Sequence, residues 1–302
     1  MPELPDLELY VEHLRRRVAG ERLERVRVAG WTLVRTTEPP LDAAAGRTVT
    51  GVRRMGKRLV FELEGGSFLA LHLMISGRLH WKPAGIAIPK RVGLAAFDFA
   101  PGTVLLTEAS TKQRAGLHVF ADAAGLATLD AGGVEPLTMS TEALAEVLRR
   151  EDHTLKRALT DPRLFAAIGN AYSDEILHRA RLSPFKRSTQ LDADERSRLH
   201  AAITGVLTEW RDRLAAEQGE SFPEKVTAFR PGMAVHGRYR QPCPVCGAPV
   251  QRVVYAENDM NYCARCQTGG KLLADRALSR LLHGDWPKTL EELEERKDQR
   301  RL

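Results

Sequence analysis

The sequence contains few cysteines, few aromatic residues and no long hydrophobic run. Four of its 302 residues are cysteine and 6% are aromatic. No apolar stretch approaches the roughly 18 residues that a membrane-spanning helix needs, and the first twenty residues carry Glu, Asp and Arg where a signal peptide has an apolar core. We therefore expect a cytoplasmic protein with reduced cysteines, and not a membrane protein or a secreted domain built on disulfides.

Positive charge is in moderate excess. The chain has 45 Lys and Arg against 39 Asp and Glu, which gives a formal net charge of +6, and its isoelectric point is near 9.3. Such an excess favours a polyanionic partner such as nucleic acid, although a soluble protein without that partner can have the same balance. At about 100–200 residues per domain, the length predicts about two domains.

The four cysteines form two CxxC pairs, Cys243 with Cys246 and Cys263 with Cys266, separated by sixteen residues. A loop of this length can fold back and bring both pairs to one tetrahedral zinc ion. Four thiolates fill all four positions, so we predict one structural Zn²⁺ in a basic zinc ribbon. Two disulfides or four unrelated core cysteines are the alternatives, and nothing in the sequence suggests the oxidising compartment that disulfides require.

The N-terminal part predicts one helix followed by a β-rich domain. Apolar residues repeat at helical spacing from Leu7 to Val18, and the helix should end near Gly20. Short strand patterns follow at 24–28, 48–53, 59–63, 68–73, 94–99, 104–107 and 117–120. Many short strands after a single helix favour a sandwich of two antiparallel sheets. We therefore predict an α+β chain whose first domain covers residues 1–132.

Strand patterns end near residue 132, and helical patterns replace them. They cover 140–150, 154–160, 164–168, 174–180 and 192–216, and a loop follows at 218–235. We predict a helical domain at 133–235, the zinc ribbon at 236–270, and a charged helical extension at 271–302. Leucine and charge alternate at helical spacing over 271–282, and 289–297 is strongly charged. The extension is either a solvated appendage or an element that docks a partner.

Two short segments have chemistry of their own. Gly169 and Asn170 precede a helix whose first backbone amides would form an anion site, although a simple turn has the same sequence. At the start of the chain, removal of Met1 would make Pro2 a secondary amine with a pKa of about 8, which is a nucleophile near neutrality. Attack on an aldehydic sugar carbon would give an iminium ion, with Glu3 beside it as an acid or base.

Four blocks of the chain, in this order, resemble the formamidopyrimidine-DNA glycosylase and endonuclease VIII family. They are 2–8, with the catalytic N-terminus; 53–59, with the lysine turn; 168–181, the helix-two-turn-helix; and 243–267, the zinc finger. The resemblance implies that a β-sandwich domain and a helix-two-turn-helix domain flank a DNA cleft, with the ribbon also on the DNA.

The resemblance also implies a function in base excision repair. Pro2 would attack the sugar of a damaged, oxidised nucleotide in double-stranded DNA, Glu3 would assist proton transfer, and Lys57 would approach the lesion or its sugar phosphate. The protein would then be a bifunctional glycosylase and abasic-site lyase. The alternative is a relative that binds damaged or branched DNA and has weak or lost base excision.

The resemblance further implies where DNA is contacted, and here the sequence departs from the family. Asn170 and Arg238 would bind phosphates. Of the three residues that fill the gap left by a flipped base, the arginine corresponds to Arg114, the methionine position holds Ile75, and the aromatic position holds Ala115. Met74, one residue away, is a substitute for Ile75.

The ribbon shows a further departure from the family. Asn258 occupies the position of the family's phosphate-binding arginine, and a neutral amide cannot form a charge-assisted fork with a phosphate. Arg252 or Arg265 would compensate for it.

Overall fold

The computed structural model describes residues 1–255, 258–274 and 287–299. The chain divides into two compact units. The first contains residues 1–133 and 208–228, and the second contains 134–207 and the described residues from 229 onward. The four-part domain division given above stays a prediction.

The first unit begins with helix α1, Leu4–Val18. Asp6 holds its start, because the carboxylate Oδ2 accepts a hydrogen bond from the Glu3 backbone amide at 3.0 Å. Three arginines in the last turn complement the negative end of the helix dipole. The buried face of α1 contains Leu7, Leu14 and Val18, which confirms the predicted stripe. This face packs against the sandwich.

The sandwich consists of two four-stranded antiparallel sheets. Its strands are β1 Arg25–Val28, β2 Val49–Met55, β3 Arg58–Leu63, β4 Ser67–His72, β5 Gly77–Lys82, β6 Gly93–Phe99, β7 Gly102–Glu108 and β8 Gly116–Phe120. One sheet has the order β1-β6-β7-β5 and the other β2-β3-β4-β8. Between them, the rings of Phe61 and Phe97 stack with centroids 6.0 Å apart. The predicted fold class is confirmed, and β5 is the strand that the sequence patterns missed. A short helix, α2, spans Ala123–Ala127.

The second unit is mainly helical, with α3 Thr141–Arg150, α4 Leu155–Thr160 and α5 Asn170–Ala180. The long helix α6, Ala193–Gln218, starts in this unit and ends in the first. The expected helix at 164–168 is wrong. Phe165 forms an isolated bridge with Val134, and Ala167 has a left-handed φ of 61°. The apolar pattern there reflects burial of an irregular segment.

The zinc ribbon contains the hairpin β9 Gln251–Tyr255 and β10 Asn258–Tyr262, followed by α7, Ala264–Thr268. Helix α8, Leu290–Gln299, covers most of the strongly charged stretch 289–297. The pattern at 271–282 is not helical over 271–274, and its remainder lies outside the described residues. Among the helices described, none is long and apolar enough to cross a membrane.

Candidate active site and nucleic-acid interface

The start of the chain is buried in the first unit. Pro2 is buried, and Glu3 is only 3% exposed, whereas Met1 is 36% exposed. Two contacts fix α1 against the sandwich beside this terminus. Arg54 Nε pairs with Glu8 Oε1 at 2.8 Å, and the backbone amide of Leu79 donates to the Tyr10 hydroxyl at 3.3 Å.

The terminal α-amine lies among charged side chains. Burial lowers the pKa of the Met1 amine below its ordinary value of 8.0; the cations of Arg78 and Lys57 lower it further, and the carboxylates of Glu3 and Asp6 oppose the change. A lower pKa increases the neutral, nucleophilic fraction of an amine near pH 7. Pro2 follows Met1 directly, so the fold places the start of the chain, with the predicted nucleophile, near Glu3 and Lys57.

Lys57 lies in a two-residue turn between β2 and β3. Met55 and Arg58 are register partners, so only Gly56 and Lys57 form the loop. Gly56 has a φ of 54°, a left-handed conformation that glycine adopts without strain. Burial lowers the pKa of Lys57, and the Glu3 carboxylate opposes the change. A lysine with a lowered pKa is suited to proton transfer.

Strand register places the turn that contains Lys57 at the same end of the sheet as two other loops. Arg58 pairs with His72, and His72 pairs with Gly116. The 73–76 loop follows His72, and the loop before Gly116 contains Arg114. His72 itself is neutral, because burial and then the charges of Arg58, Lys57 and His118 lower its pKa to about 4.

The 73–76 loop carries an exposed apolar side chain at its tip. Ile75 is 56% exposed, whereas Met74 is half-buried with a left-handed φ of 52°. The loop closes through a hydrogen bond from Gly77 N to Leu73 O at 2.9 Å. A Cβ on Gly77 would lie 2.2 Å from that carbonyl oxygen, so only glycine fits there. Of the two predicted residues, Ile75 is the one that the fold presents.

The neighbouring loop is held by a buried carboxylate. Glu108, 2% exposed, accepts backbone hydrogen bonds from Arg114 at 2.9 Å and Ala115 at 3.0 Å through Oε2. Arg114 is exposed, and Ala115 is only 3% exposed. The position that the resemblance predicts for an aromatic wedge is therefore buried.

In the second unit, the start of α5 is tied to the ribbon. Asn170 donates from Nδ2 to the carbonyl of Asp259 at 2.8 Å. Lys156 Nζ donates to the Asn170 carbonyl at 2.7 Å and pairs with the fully buried carboxylate of Asp174. On its other oxygen, Asp174 pairs with His236 Nδ1 at 2.8 Å. A chain of buried polar contacts therefore joins the predicted phosphate-binding asparagine to the ribbon hairpin.

Glu175 completes this network. Its carboxylate accepts the backbone amides of Ala234, Val235 and His236 at 2.7, 2.9 and 2.9 Å. Burial raises the pKa of Glu175, and these hydrogen bonds oppose the rise. The sequence does not reveal the roles of Lys156, Asp174, Glu175 and His236. The only signal was two adjacent acids in the first turns of a helix, and it does not name their partners.

The three ribbon residues predicted to contact DNA, Arg238, Arg252 and Asn258, have different surroundings. Arg238 donates to the carbonyls of Met233 and Pro242 at 3.1 and 3.2 Å, so its guanidinium holds the loop that precedes the first cysteine. Arg252 is 42% exposed and stacks on Tyr239 with its Cζ 4.5 Å from the ring centroid. Asn258 begins β10 opposite Tyr255. Their DNA contacts stay predictions.

The four cysteines converge as the sequence predicts. All four Sγ atoms lie within 4.8 Å of one another, with Cys243 to Cys266 at 3.9 Å and Cys246 to Cys263 at 3.4 Å. Zn–S bonds of about 2.3 Å require sulfur separations of about 3.8 Å in a tetrahedron, whereas a disulfide needs about 2.05 Å. The residues fit one structural Zn²⁺. His178 Nε2, 3.3 Å from Cys243 Sγ, supports the site from α5.

A β-sandwich unit in which Pro2 and Glu3 are buried, followed in the chain by a helical unit with a four-cysteine ribbon, defines a class of DNA-repair protein, and comparison identifies it. Three family models match in order: the formamidopyrimidine-DNA glycosylase N-terminal domain at residues 1–114, the formamidopyrimidine-DNA glycosylase H2TH domain at 133–216, and the zinc finger found in FPG and IleRS at 240–269. The third match agrees with the zinc site.

Whole-chain relatives agree with these matches. A formamidopyrimidine-DNA glycosylase of Roseiflexus sp. is 36% identical over 283 residues, which cover 88% of this chain and 100% of the relative. A formamidopyrimidine-DNA glycosylase of Thermus thermophilus is 34% identical over 279 residues, 89% of this chain and 100% of its own. The crystal structure of MutM (Fpg) from Thermus thermophilus has a TM-score of 0.73 at 32% identity and covers 88% of this chain and 98% of its own.

The chain belongs to the formamidopyrimidine-DNA glycosylase family of base excision repair. The resemblance read from four sequence blocks is therefore confirmed.

Proposed function

We propose that the protein is a bifunctional DNA glycosylase and abasic-site lyase that acts on double-stranded DNA containing a damaged, oxidised base or an abasic site. The observation that carries this proposal is that Pro2 and Glu3 are both buried at the start of the chain, where the charges of Glu3 and Lys57 act on the Met1 amine that precedes Pro2. The relatives carry the name formamidopyrimidine-DNA glycosylase, which supports a formamidopyrimidine lesion among the substrates.

The first step is covalent. A damaged nucleotide must leave the base stack before a protein nucleophile can reach its sugar. After removal of Met1, the nitrogen lone pair of Pro2 attacks C1′, and the bond from C1′ to the base breaks with its electron pair on the base, which takes up the proton that the Pro2 nitrogen loses. Glu3 protonates the ring oxygen as the sugar opens, and the nitrogen then forms an iminium with C1′.

The second step cuts the strand. The iminium acidifies the protons on C2′, and loss of one of them expels the 3′ phosphate oxygen with the electrons of its bond to C3′. Lys57, with a pKa lowered by burial, assists proton transfer beside the sugar phosphate. Hydrolysis of the remaining iminium frees Pro2 for another turnover.

DNA contacts complete the proposal. Ile75 and Arg114, exposed on adjacent loops, enter the gap that the flipped base leaves. Asn170 and the backbone amides at the start of α5 bind phosphate, as do Arg238 and the exposed Arg252. These contacts position the duplex without reading its sequence.

A second candidate function rests on one observation. Ala115 is buried at the position of the family's aromatic wedge, and Asn258 replaces the ribbon arginine. A protein with a weaker wedge can bind damaged or branched DNA and excise bases poorly. Retention of Pro2, Glu3 and Lys57 favours the enzyme.

Borohydride trapping tests the proposal. Purified protein is incubated with a duplex that contains one abasic site, and borohydride reduces any iminium to a permanent cross-link. The wild type should give a shifted band on a denaturing gel, and Pro2→Gly should trap poorly. Pro5→Ala, which changes a nearby proline without an amine, is the matched control and should trap like the wild type.

Mass spectrometry of the purified protein establishes whether Met1 has been removed. Absence of a cross-link from protein that lacks Met1 would rule out the lyase. If that protein still binds abasic DNA tightly, the second candidate function is correct. A panel of oxidised purines, oxidised pyrimidines and ring-opened bases then ranks the substrates.

A further inference from the structure

The segment after the last cysteine returns to the zinc ribbon. Lys271 and Thr289 form an antiparallel bridge. On either side of it, Leu272 N donates to Lys288 O at 2.8 Å and Leu290 N donates to Gly270 O at 2.9 Å. The described parts of this segment, 271–274 and 287–299, are called the C-terminal clamp below. Backbone pairing thus fastens both parts of the clamp at the end of α7.

The clamp also adds to the apolar core of the ribbon. Leu290 is 1% exposed and Leu272 is 8% exposed, and both belong to the buried cluster that contains Cys243 and Cys263. Leu293 packs against the same cluster. The solvated appendage expected from the charge pattern is therefore solvated on one face only, since its leucines complete the core around the metal site.

A polar contact and a helix cap fix the clamp in place. The hydroxyl of Tyr262, next to the third cysteine, accepts the backbone amide of Leu273 at 2.8 Å. At the start of α8, Thr289 Oγ1 accepts the Glu292 amide at 3.2 Å, and Glu292 Oε2 accepts the Lys288 amide at 2.7 Å. Such reciprocal capping stabilises a helix that would be marginal alone.

The clamp lies outside the family models, the last of which ends at residue 269. Small ribbons depend on their metal for folding, because they bury little apolar surface of their own. From the shared core and the backbone pairing, we infer that the C-terminal clamp retains the structural zinc ion. While the clamp is packed against the ribbon, the hairpin and the thiolates stay in place, and the zinc ion is lost to a competing chelator more slowly.

Zinc release measures this directly and needs no DNA or catalysis. The full-length zinc-loaded protein is mixed with excess 4-(2-pyridylazo)resorcinol, and the absorbance of the zinc complex is followed in time. Leu290→Ala removes a buried side chain from the clamp and should release zinc at least about ten-fold faster than the wild type, as expected for a core truncation. Glu294→Ala, an exposed change on the same helix, is the matched control and should match the wild type.

Hydrogen exchange separates a local effect from general unfolding. In Leu290→Ala the amides of β10 should exchange faster, whereas those of β3 and β7 should not change. If Leu290→Ala does not fold, Leu293→Ala, which alters a partly buried clamp residue, provides the same test. Equal zinc release from the wild type and the folded clamp variant would overturn the inference, whatever the outcome of the trapping experiment.

Discussion

The two units of the molecule differ in where their predicted DNA-contacting residues lie relative to buried charges. In the sandwich unit, apolar side chains and strand register build the framework, and Lys57, Ile75 and Arg114 lie on loops at the ends of its strands. In the helical unit, charged groups lie inside the framework itself: Asp174 has a fully buried side chain, and Glu175 is 6% exposed. The sandwich unit also contains buried carboxylates, such as Glu108 at 2% exposed, but its predicted DNA-contacting side chains lie outside its core, whereas in the helical unit buried charges hold the predicted phosphate site directly.

This difference has an energetic basis. When a charged side chain is removed from a loop that water reaches, water solvates the groups left behind, so the loss of unfolding free energy is small. Removing one partner of a buried pair leaves an uncompensated charge or polar group in a low-dielectric interior, and the cost is large. Substitutions in the two units should accordingly fall into separate classes, and the following four tests address that division.

The largest stability effect is expected for Asp174→Ala. Without this carboxylate, Lys156 and His236 lose their buried partner, and the expected loss is about 3–5 kcal/mol of unfolding free energy. Urea denaturation followed by circular dichroism measures it. Asp212→Ala, which alters a 60% exposed carboxylate paired with its neighbour Arg211, is the control and should leave the midpoint unchanged. Similar midpoints for the two variants would end the distinction between the units.

Lys57→Ala should show the reverse pattern, with a large change in activity and a small one in stability. Loss of a positioned proton-transfer group costs about 10²-fold or more in rate, so single-turnover base excision should slow by that order while the urea midpoint stays near that of the wild type. Lys90→Ala, a change at an exposed lysine, should leave both unchanged. A Lys57→Ala protein that excises at the wild-type rate would remove this residue from the mechanism.

His72 tests whether a partly buried titratable group beside these loops makes the stability of the sandwich unit depend on pH. Its pKa is about 4 in the folded protein against an ordinary 6.5, so the unfolded chain takes up the proton first as the pH falls. The stability that this neutral histidine supports is fully present above about pH 6.5 and is lost between 6.5 and 4, by about 2 kcal/mol after a discount for partial exposure. His72→Gln should show a shallower loss of stability over this range in urea titrations, and equal slopes would contradict the prediction.

The smallest effect is expected for Ile75→Ala. The side chain is 56% exposed, so the unfolding free energy should stay within about 0.5 kcal/mol of the wild type. Its loss as a wedge should weaken binding to abasic-site duplex about 3- to 10-fold, consistent with the removal of a modest apolar contact. Fluorescence anisotropy with abasic and intact duplexes measures the ratio of the two dissociation constants. An unchanged ratio would leave Met74 as the candidate wedge.

Sequence patterns predicted most of the sandwich and the metal site, for different physical reasons. Strands are recognisable by alternation and turn residues, and four cysteines at fixed spacing have few other uses. Strand β5 was missed because Leu79 is the one clearly aliphatic residue in Gly77–Lys82. The segment at 164–168 misled because a buried irregular stretch and a short helix have the same apolar composition.

The buried network was beyond sequence reasoning. Lys156, Asp174 and His236 are far apart in the chain, and a charged residue does not reveal which distant partner it will meet. The same holds for Leu290, whose position in a charged helix gave no sign that it completes the core of the ribbon. Contacts of this kind are decided by tertiary packing alone.

The two-residue connection at Gly56 and Lys57 has a consequence for how the length of this protein can vary. Strand residues alternate between faces, so one inserted residue would either slip the pairing of Met55 with Arg58 or swing the lysine away from the terminus. Insertions and deletions in homologues should therefore avoid this connection. They should accumulate in the longer connection between β5 and β6, where a change of length need not shift the pairing of the strands. A scan of single-alanine insertions across both connections, scored for expression and strand cleavage, would map that tolerance.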